Sequence, residues 1–220
     1  MPAWPDLFIT IDEAGRHPLA KLAKENGAVL SGRSCVVCVP TGDRPASEPK
    51  KGSWVFLRSA SSIRYFSALY NPQDFKIAIS NDDLLKVFTS SIEPQFSGTD
   101  LTIPMWEAFS LLLDEDTVWI PRKEGCSQKW KAFIPDDQVI TWVQYTLEVP
   151  TFSAALPAHK IAIISSPANA NGYFQAGGSA SCVAIGAATA RALEQLGAEF
   201  EPAISADAGA IAEAVDRLVD

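Results

Sequence analysis

Residues 54–66 read WVFLRSASSIRYF and residues 161–174 read IAIISSPANANGYF, and the fold turns on this pair. Each opens on an apolar strand, passes through small polar residues and continues with helical spacing. A second strand follows each, KIAIS at 76–80 or CVAIG at 182–186, and then another helix. Ser166 lies 107 residues after Ser59, and Ile185 lies 106 after Ile79. So constant an offset predicts two domains of similar fold.

Outward from this pair the same alternation covers the chain. Strands are predicted at 7–11, from 28, at 54–57, 76–79, 117–120, 139–147, 160–164 and 182–185. Helices are predicted over 18–26, 62–69, 82–88, 105–113, 127–133, 168–174, 188–196 and from about 207. Pro18 stands near the start of the first helix and Gly27 at its stop, where each residue is favoured. The last helix sets Ile211, Ala214, Val215 and Leu218 on one stripe that should pack on a sheet. Residues 40–52, PTGDRPASEPKKG, lack periodicity and read as a mobile loop or linker. Short strands alternating with helices predict the α/β class, with parallel sheets flanked by helices.

Composition agrees and narrows the function. A length of 220 residues suits two modest domains. Apolar residues at 47% and charged residues at 20% describe a globular chain able to bury a core. Eighteen basic residues against 26 acidic ones leave a net charge of −8, which disfavours nucleic acid held over a broad surface. A concave site can still gather backbone N–H groups and a few arginines around a small anion. Cys35, Cys38, Cys126 and Cys182 are scattered, and the start of the chain has no charged and apolar leader. No run approaches the roughly 18 apolar residues of a membrane span. These features predict a reduced, cytoplasmic protein that is neither secreted nor membrane-embedded. Cys35 and Cys38 have the CxxC spacing, but residues three apart on a strand point to opposite faces, and no second Cys/His pair completes a metal site. They read as structural cysteines.

Three strand-to-helix turns carry groups that could bind a ligand. In IGAATARAL (185–193) a strand ends at Gly186 and a helix begins within two residues. The first helical N–H groups lack internal acceptors there, and Thr189 either adds its hydroxyl to a bound carboxylate or serves the helix start. The turn with Ser165, Ser166, Pro167, Ala168 and Asn169, and the turn with Arg58, Ser59, Ala60, Ser61 and Ser62, offer further hydroxyls. Taken singly these are helix caps; together they would form two facing rims of a polar cleft, since ligands of open α/β sheets sit outside the carboxyl ends of strands. The G-x-S-x-G nucleophile turn is absent, and His17 and His159 read as solvent-side residues, so a Ser/His/Asp triad has little support. The G-x-G-x-x-G and G-x-x-x-x-G-K-[ST] loops are also absent, which weighs against dinucleotides and nucleoside triphosphates. Chemistry must rest on positioning and hydrogen bonding.

The C-terminal third, SSPANANGYF followed by CVAIGAATARALEQLGAEFEPAIS, resembles the closing segment of uroporphyrinogen-III synthases. Val143-Gln144-Tyr145-Thr146 resembles that family's Val-Tyr-x-Thr segment, FITIDEAGRHPLAKLAKENGAVL (8–30) its opening strand and helix, and WVFLRSASSIRYF its middle Ser-containing loop. Two positions depart from the pattern. Thr10 is followed by Ile11 where the family has Thr-Arg, and a second Gly-x-x-Thr turn is replaced by Ser80-Asn81-Asp82-Asp83, whose acidic pair would repel a carboxylate.

The resemblance implies two similar α/β domains joined by a two-stranded connector, with a cleft between them. One domain is 1–35 plus 150–220, the other is the inserted 39–146, and the connectors lie near 35–39 and 146–150. It implies a cofactor-free, metal-free lyase that converts hydroxymethylbilane, a linear tetrapyrrole, to uroporphyrinogen III with inversion of the terminal ring and loss of water. A monomer is implied, with transient contact to hydroxymethylbilane synthase and no nucleic acid or membrane partner. Tyr145 is the candidate catalytic residue; Thr10, Ser59, Ser61, Ser62, Arg122, Ser166, Pro167, Asn169, Gly186 and Thr189 are the candidate substrate-binding residues. The departures motivate a rival reading, a catalytically inactive protein of the same fold that binds an anionic ligand. An unrelated periplasmic-type binding protein is weakened by the missing leader.

Overall fold

The computed structural model describes residues 3–88, 92–98, 103–152 and 154–219. Two compact units emerge, Met1–Val37 with Glu148–Asp220, and Cys38–Leu147. No described helix is long and apolar enough to cross a membrane.

The first unit is built on strands β1 (Leu7–Ile9), β2 (Leu30–Gly32), β9 (Ile161–Ile164), β10 (Ser181–Ile185) and β11 (Phe200–Ala203). They lie in the order β11-β10-β9-β1-β2, and every pairing is parallel. A parallel sheet needs both faces covered, so its strands are apolar throughout. Leu7, Ile9, Ile161, Ile163 and Val183 pack on one face with α1 (Leu19–Glu25) and α6 (Ala208–Val219). Phe8, Ala162, Ile164, Cys182 and Ala184 point to the other, against α4 (Pro167–Gln175) and α5 (Ala187–Gln195). The predicted stripe of α6 is buried at Ile211, Ala214 and Val215, with Leu218 packed beside them.

The second unit uses β3 (Val37–Pro40), β4 (Trp54–Leu57), β5 (Lys76–Ile79), β6 (Phe96–Ser97), β7 (Val118–Lys123) and β8 (Val139–Glu148) in the order β3-β8-β7-β4-β5-β6. Trp54 and Phe56 face α3 (Ile103–Leu113), while Val55 and Leu57 face α2 (Ala60–Ser67). With β9 matched to β4 and β10 to β5 through the sequence offset, the order β11-β10-β9-β1-β2 repeats β6-β5-β4-β7-β8. Each sheet therefore reverses its strand order once, at β9/β1 and at β4/β7, and such a reversal opens a crevice at the carboxyl ends.

Several expectations need correction. The helices predicted over 82–88 and 127–133 are 3-10 turns, Asp82–Val87 and Lys129–Ala132. Both segments are short, and neither Asn81 nor Gln128 supplies a side-chain cap to nucleate a longer helix. The strand predicted at 7–11 ends at Ile9, because Thr10 bonds across to the turn after β9. His159 is not a solvent-side residue. It is half-buried, stacks on Phe8 at 5.0 Å, and its Nε2 lies 2.7 Å from the Tyr173 hydroxyl. Residues 40–52 are irregular but tied down, with the Thr41 hydroxyl donating to the Val143 carbonyl at 2.6 Å.

Candidate active site

In the second unit the turn after β4 begins with Arg58 and Ser59. Ser59 caps α2: its Oγ accepts from the Ser62 N–H at 3.1 Å, while the Ser62 Oγ accepts from the N–H groups of Arg58 (3.1 Å) and Ser59 (3.0 Å) and donates to the Ser59 carbonyl at 2.7 Å. Such a reciprocal cap fixes the turn rigidly. Ser62 is thus fully occupied and 1% exposed. Ser61 stands apart from it, its Oγ 3.1 Å from the exposed Cys38 thiol.

The Tyr145 hydroxyl lies 2.9 Å from Ser59 Oγ, and either can donate. Tyr145 reaches this point through a register shift in the β7/β8 pairing, which sets Arg122 opposite Val143 and Lys123 opposite Tyr145. In unbroken register Gln144 would face Lys123. Bulges of this kind re-aim side chains beside functional sites. The ring of Tyr145 is 6% exposed, and burial pushes its pKa above the ordinary 10.0, against the opposing pull of the Ser59 hydrogen bond. It stays a neutral hydrogen-bond donor at physiological pH.

Arg58, Ser59, Arg122, Lys123, Cys126 and Tyr145 line a cavity of about 150 Å³ at this point. The Arg58 guanidinium lies over the Trp130 ring at 5.0 Å and donates to the Ser127 carbonyl at 3.0 Å. Its Nε is buried with no hydrogen-bond partner. Arg122 Nε lies 3.4 Å from Thr141 Oγ1. Of the residues expected from the sequence, Ser59, Ser62, Arg122 and Tyr145 meet here. Lys123 and Cys126 were not anticipated, and Arg58 was read only as part of its turn; the adjacent basic pair Arg122-Lys123 at the end of β7, just before the turn at Gly125, is the signal that marks Lys123.

In the first unit the equivalent place is filled by the protein's own hydrogen bonds. Thr10 Oγ1 accepts from the Ser165 N–H at 2.9 Å, and the Ser165 hydroxyl donates to the Thr10 carbonyl at 3.1 Å. Asn169 Nδ2 donates to Ser165 Oγ (3.1 Å) and Ser166 Oγ (3.2 Å), and its Oδ1 accepts from the Cys35 N–H at 2.9 Å. Thr10 is 1% and Asn169 8% exposed, so both are turned inward as pins of the fold. Ser166 caps α4 through the Asn169 N–H, and Pro167 is the first residue of that helix.

On the neighbouring strand Gly186 is exposed with φ +83, and a Cβ there would meet nothing within 4 Å. Glycine serves the backbone conformation at this position, and the space above it is open. Thr189 is 2% exposed, and its hydroxyl makes no hydrogen bond with the described residues. The acidic departure at 82–83 is occupied locally: Asp82 accepts from the Ser97 hydroxyl at 2.5 Å, and Asp83 pairs with Lys86 at 2.7 Å.

No family model matches the sequence, and no curated protein matches it. Solved structures do match. The structure of a uroporphyrinogen-III synthetase from Helicobacter pylori superposes with a TM-score of 0.69 at 14% identity, over 97% of this chain and 99% of that one. A mutant uroporphyrinogen III synthase from Thermus thermophilus gives a TM-score of 0.50 at 11% identity, over 97% of this chain and 98% of that one. From end to end, then, the chain has the α/β fold of the uroporphyrinogen-III synthase structures.

Proposed function

We propose that the protein is a uroporphyrinogen-III synthase, cyclising hydroxymethylbilane with inversion of its terminal ring and release of water. The observation that carries the reading is the part-buried Tyr145–Ser59 hydroxyl pair, in a cavity also lined by Arg58, Arg122 and Lys123. Hydroxymethylbilane bears eight carboxylates and a hydroxyl that must leave. Its departure gives an azafulvene cation that closes on the substituted carbon of the terminal ring. Fragmentation of the spiro intermediate and reclosure invert that ring. The protein need supply no nucleophile; it holds the reacting ends in one geometry and assists the leaving group. Arginine and lysine side chains suit the carboxylates, and a neutral tyrosine suits the hydroxyl.

The test is the isomer formed by the purified full chain from hydroxymethylbilane. Type III product above the spontaneous type I background is expected. Type I alone would move the protein to the rival reading, a binder that keeps the fold.

The open space above Gly186 supports a smaller part for the start of α5. Thr189→Val, which keeps the shape and removes the hydroxyl, is expected to lower turnover several-fold and leave the urea midpoint unchanged. Unchanged turnover would remove Thr189 from the site.

A further inference from the structure

The two sheets share one strand order, yet the crevices at their reversals differ. At β9/β1 the hydroxyls of Thr10 and Ser165 close on each other. At β4/β7 the cavity is open and lined by Arg58, Arg122 and Lys123. With β4 matched to β9, the pairings of β4 with β7 and of β9 with β1 put Arg122 where the first unit has Ile11, and Pro121 where it has Thr10. One crevice is sealed by neutral hydrogen bonds and the other is equipped with charge.

None of the three cations forms an ion pair among the described residues, although acidic residues outnumber basic ones by 26 to 18. Three basic residues thus line one cavity with no carboxylate paired to any of them. An anion in the cavity would supply the missing counter-charge. The cavity's 150 Å³ is the liquid volume of roughly five waters. That is ample room for a carboxylate on a stem of one or two carbons, and far too little for a whole tetrapyrrole.

We propose that the crevice between β4 and β7 is a carboxylate clamp, in which Arg58, Arg122 and Lys123 hold one short carboxylate arm and the Tyr145–Ser59 pair closes its mouth. The proposal rests on the reading above only for the identity of the molecule that carries the arm.

Cys126 lines the same cavity, with its Sγ 3.5 Å from Arg58 Nη1, and supplies the reporter. Iodoacetate and iodoacetamide alkylate a thiolate by the same displacement, in which sulfur bonds to the methylene carbon and iodide leaves. They differ in that only iodoacetate carries a carboxylate. The folded full chain is treated with each at neutral pH, and peptide mapping by mass spectrometry gives the rate at each cysteine. The iodoacetate-to-iodoacetamide ratio at Cys126 should exceed that of N-acetylcysteine about tenfold. Propionate should abolish the excess and propionamide should not. Arg122→Gln with Lys123→Gln should bring the ratio down to the free-thiol value. Cys35 and Cys182 are buried, with pKa values pushed up to about 11 and about 12, and should stay unmodified as a check that the chain is folded.

A ratio at Cys126 equal to that of N-acetylcysteine would overturn the clamp, as would protection by inorganic phosphate with none by propionate. The competition on the unmodified chain decides the matter even if the double variant fails to fold. A clamp that persists in a protein forming only type I product would overturn the proposed activity and leave the clamp standing.

Discussion

Gly172→Ala is expected to destabilise the protein by about 3 kcal/mol, in spite of the gain of about 1 kcal/mol that alanine normally brings to a helix interior. Gly172 lies within α4 where the chain at Cys35 crosses the helix. A Cβ there would sit 2.2 Å from the Cys35 carbonyl oxygen and 3.0 Å from the Cys35 Cβ. Contact with backbone cannot be relieved by a rotamer change. Nor can the crossing segment drift away, because Asn169 Oδ1, one helical turn earlier, accepts from the Cys35 N–H at 2.9 Å. Equilibrium urea unfolding measures the loss, and a midpoint equal to or above the wild-type value would show that this crossing is loosely packed.

Tyr145→Phe is expected to lower the rate of type III product formation by about 10- to 100-fold, below the full effect of a general acid, because the hydroxyl acts as a hydrogen-bond donor and gives up little of its proton. Its stability cost should be about 1 kcal/mol or less, that of one hydrogen bond to Ser59. The pH profile separates the two roles. Burial holds the Tyr145 pKa above 10.0, so the donor form persists through neutral pH and is lost only as pH rises beyond that value. The wild-type rate should therefore carry no alkaline fall from this group below about pH 10, and the Phe variant should lack the fall above it. An undiminished rate in the Phe variant would confine Tyr145 to packing.

The fold was legible because its strands are short, apolar on both faces and separated by helical spacing, a pattern produced by parallel sheets covered on both sides. Val55 and Leu57 against Trp54 and Phe56 show that alternation within four residues. The failures are where local pattern mimics another state. Leu84, Leu85, Val87 and Phe88 carry helix-like apolar spacing, yet they pack as a single 3-10 turn that ends at the extended Phe88. β6 has only two residues and no periodicity to read.

The candidate site was less legible. Thr10 and Asn169 have the polarity of ligand groups, but polarity alone does not say whether a hydroxyl or amide faces inward. Here each finds its partners within the first unit. Arg58 and Lys123 look like ordinary surface cations until the strand order puts β4 beside β7. The meeting of Lys123 with Tyr145 depends on a register shift that no residue type announces.

The shared strand order also carries a consequence for biosynthesis. The second unit is contiguous, so everything it needs has emerged once Leu147 has left the ribosome. In the first unit β1 lies inside its sheet, between β9 and β2, yet its partner β9 begins at Ile161, and β10 and β11 come later still. The nascent N-terminal segment must therefore wait, with Leu7, Phe8 and Ile9 unpaired against β9, while more than a hundred residues are made. The inserted unit is free to reach its native state first, and the bracketing unit can close only after β11 has been made.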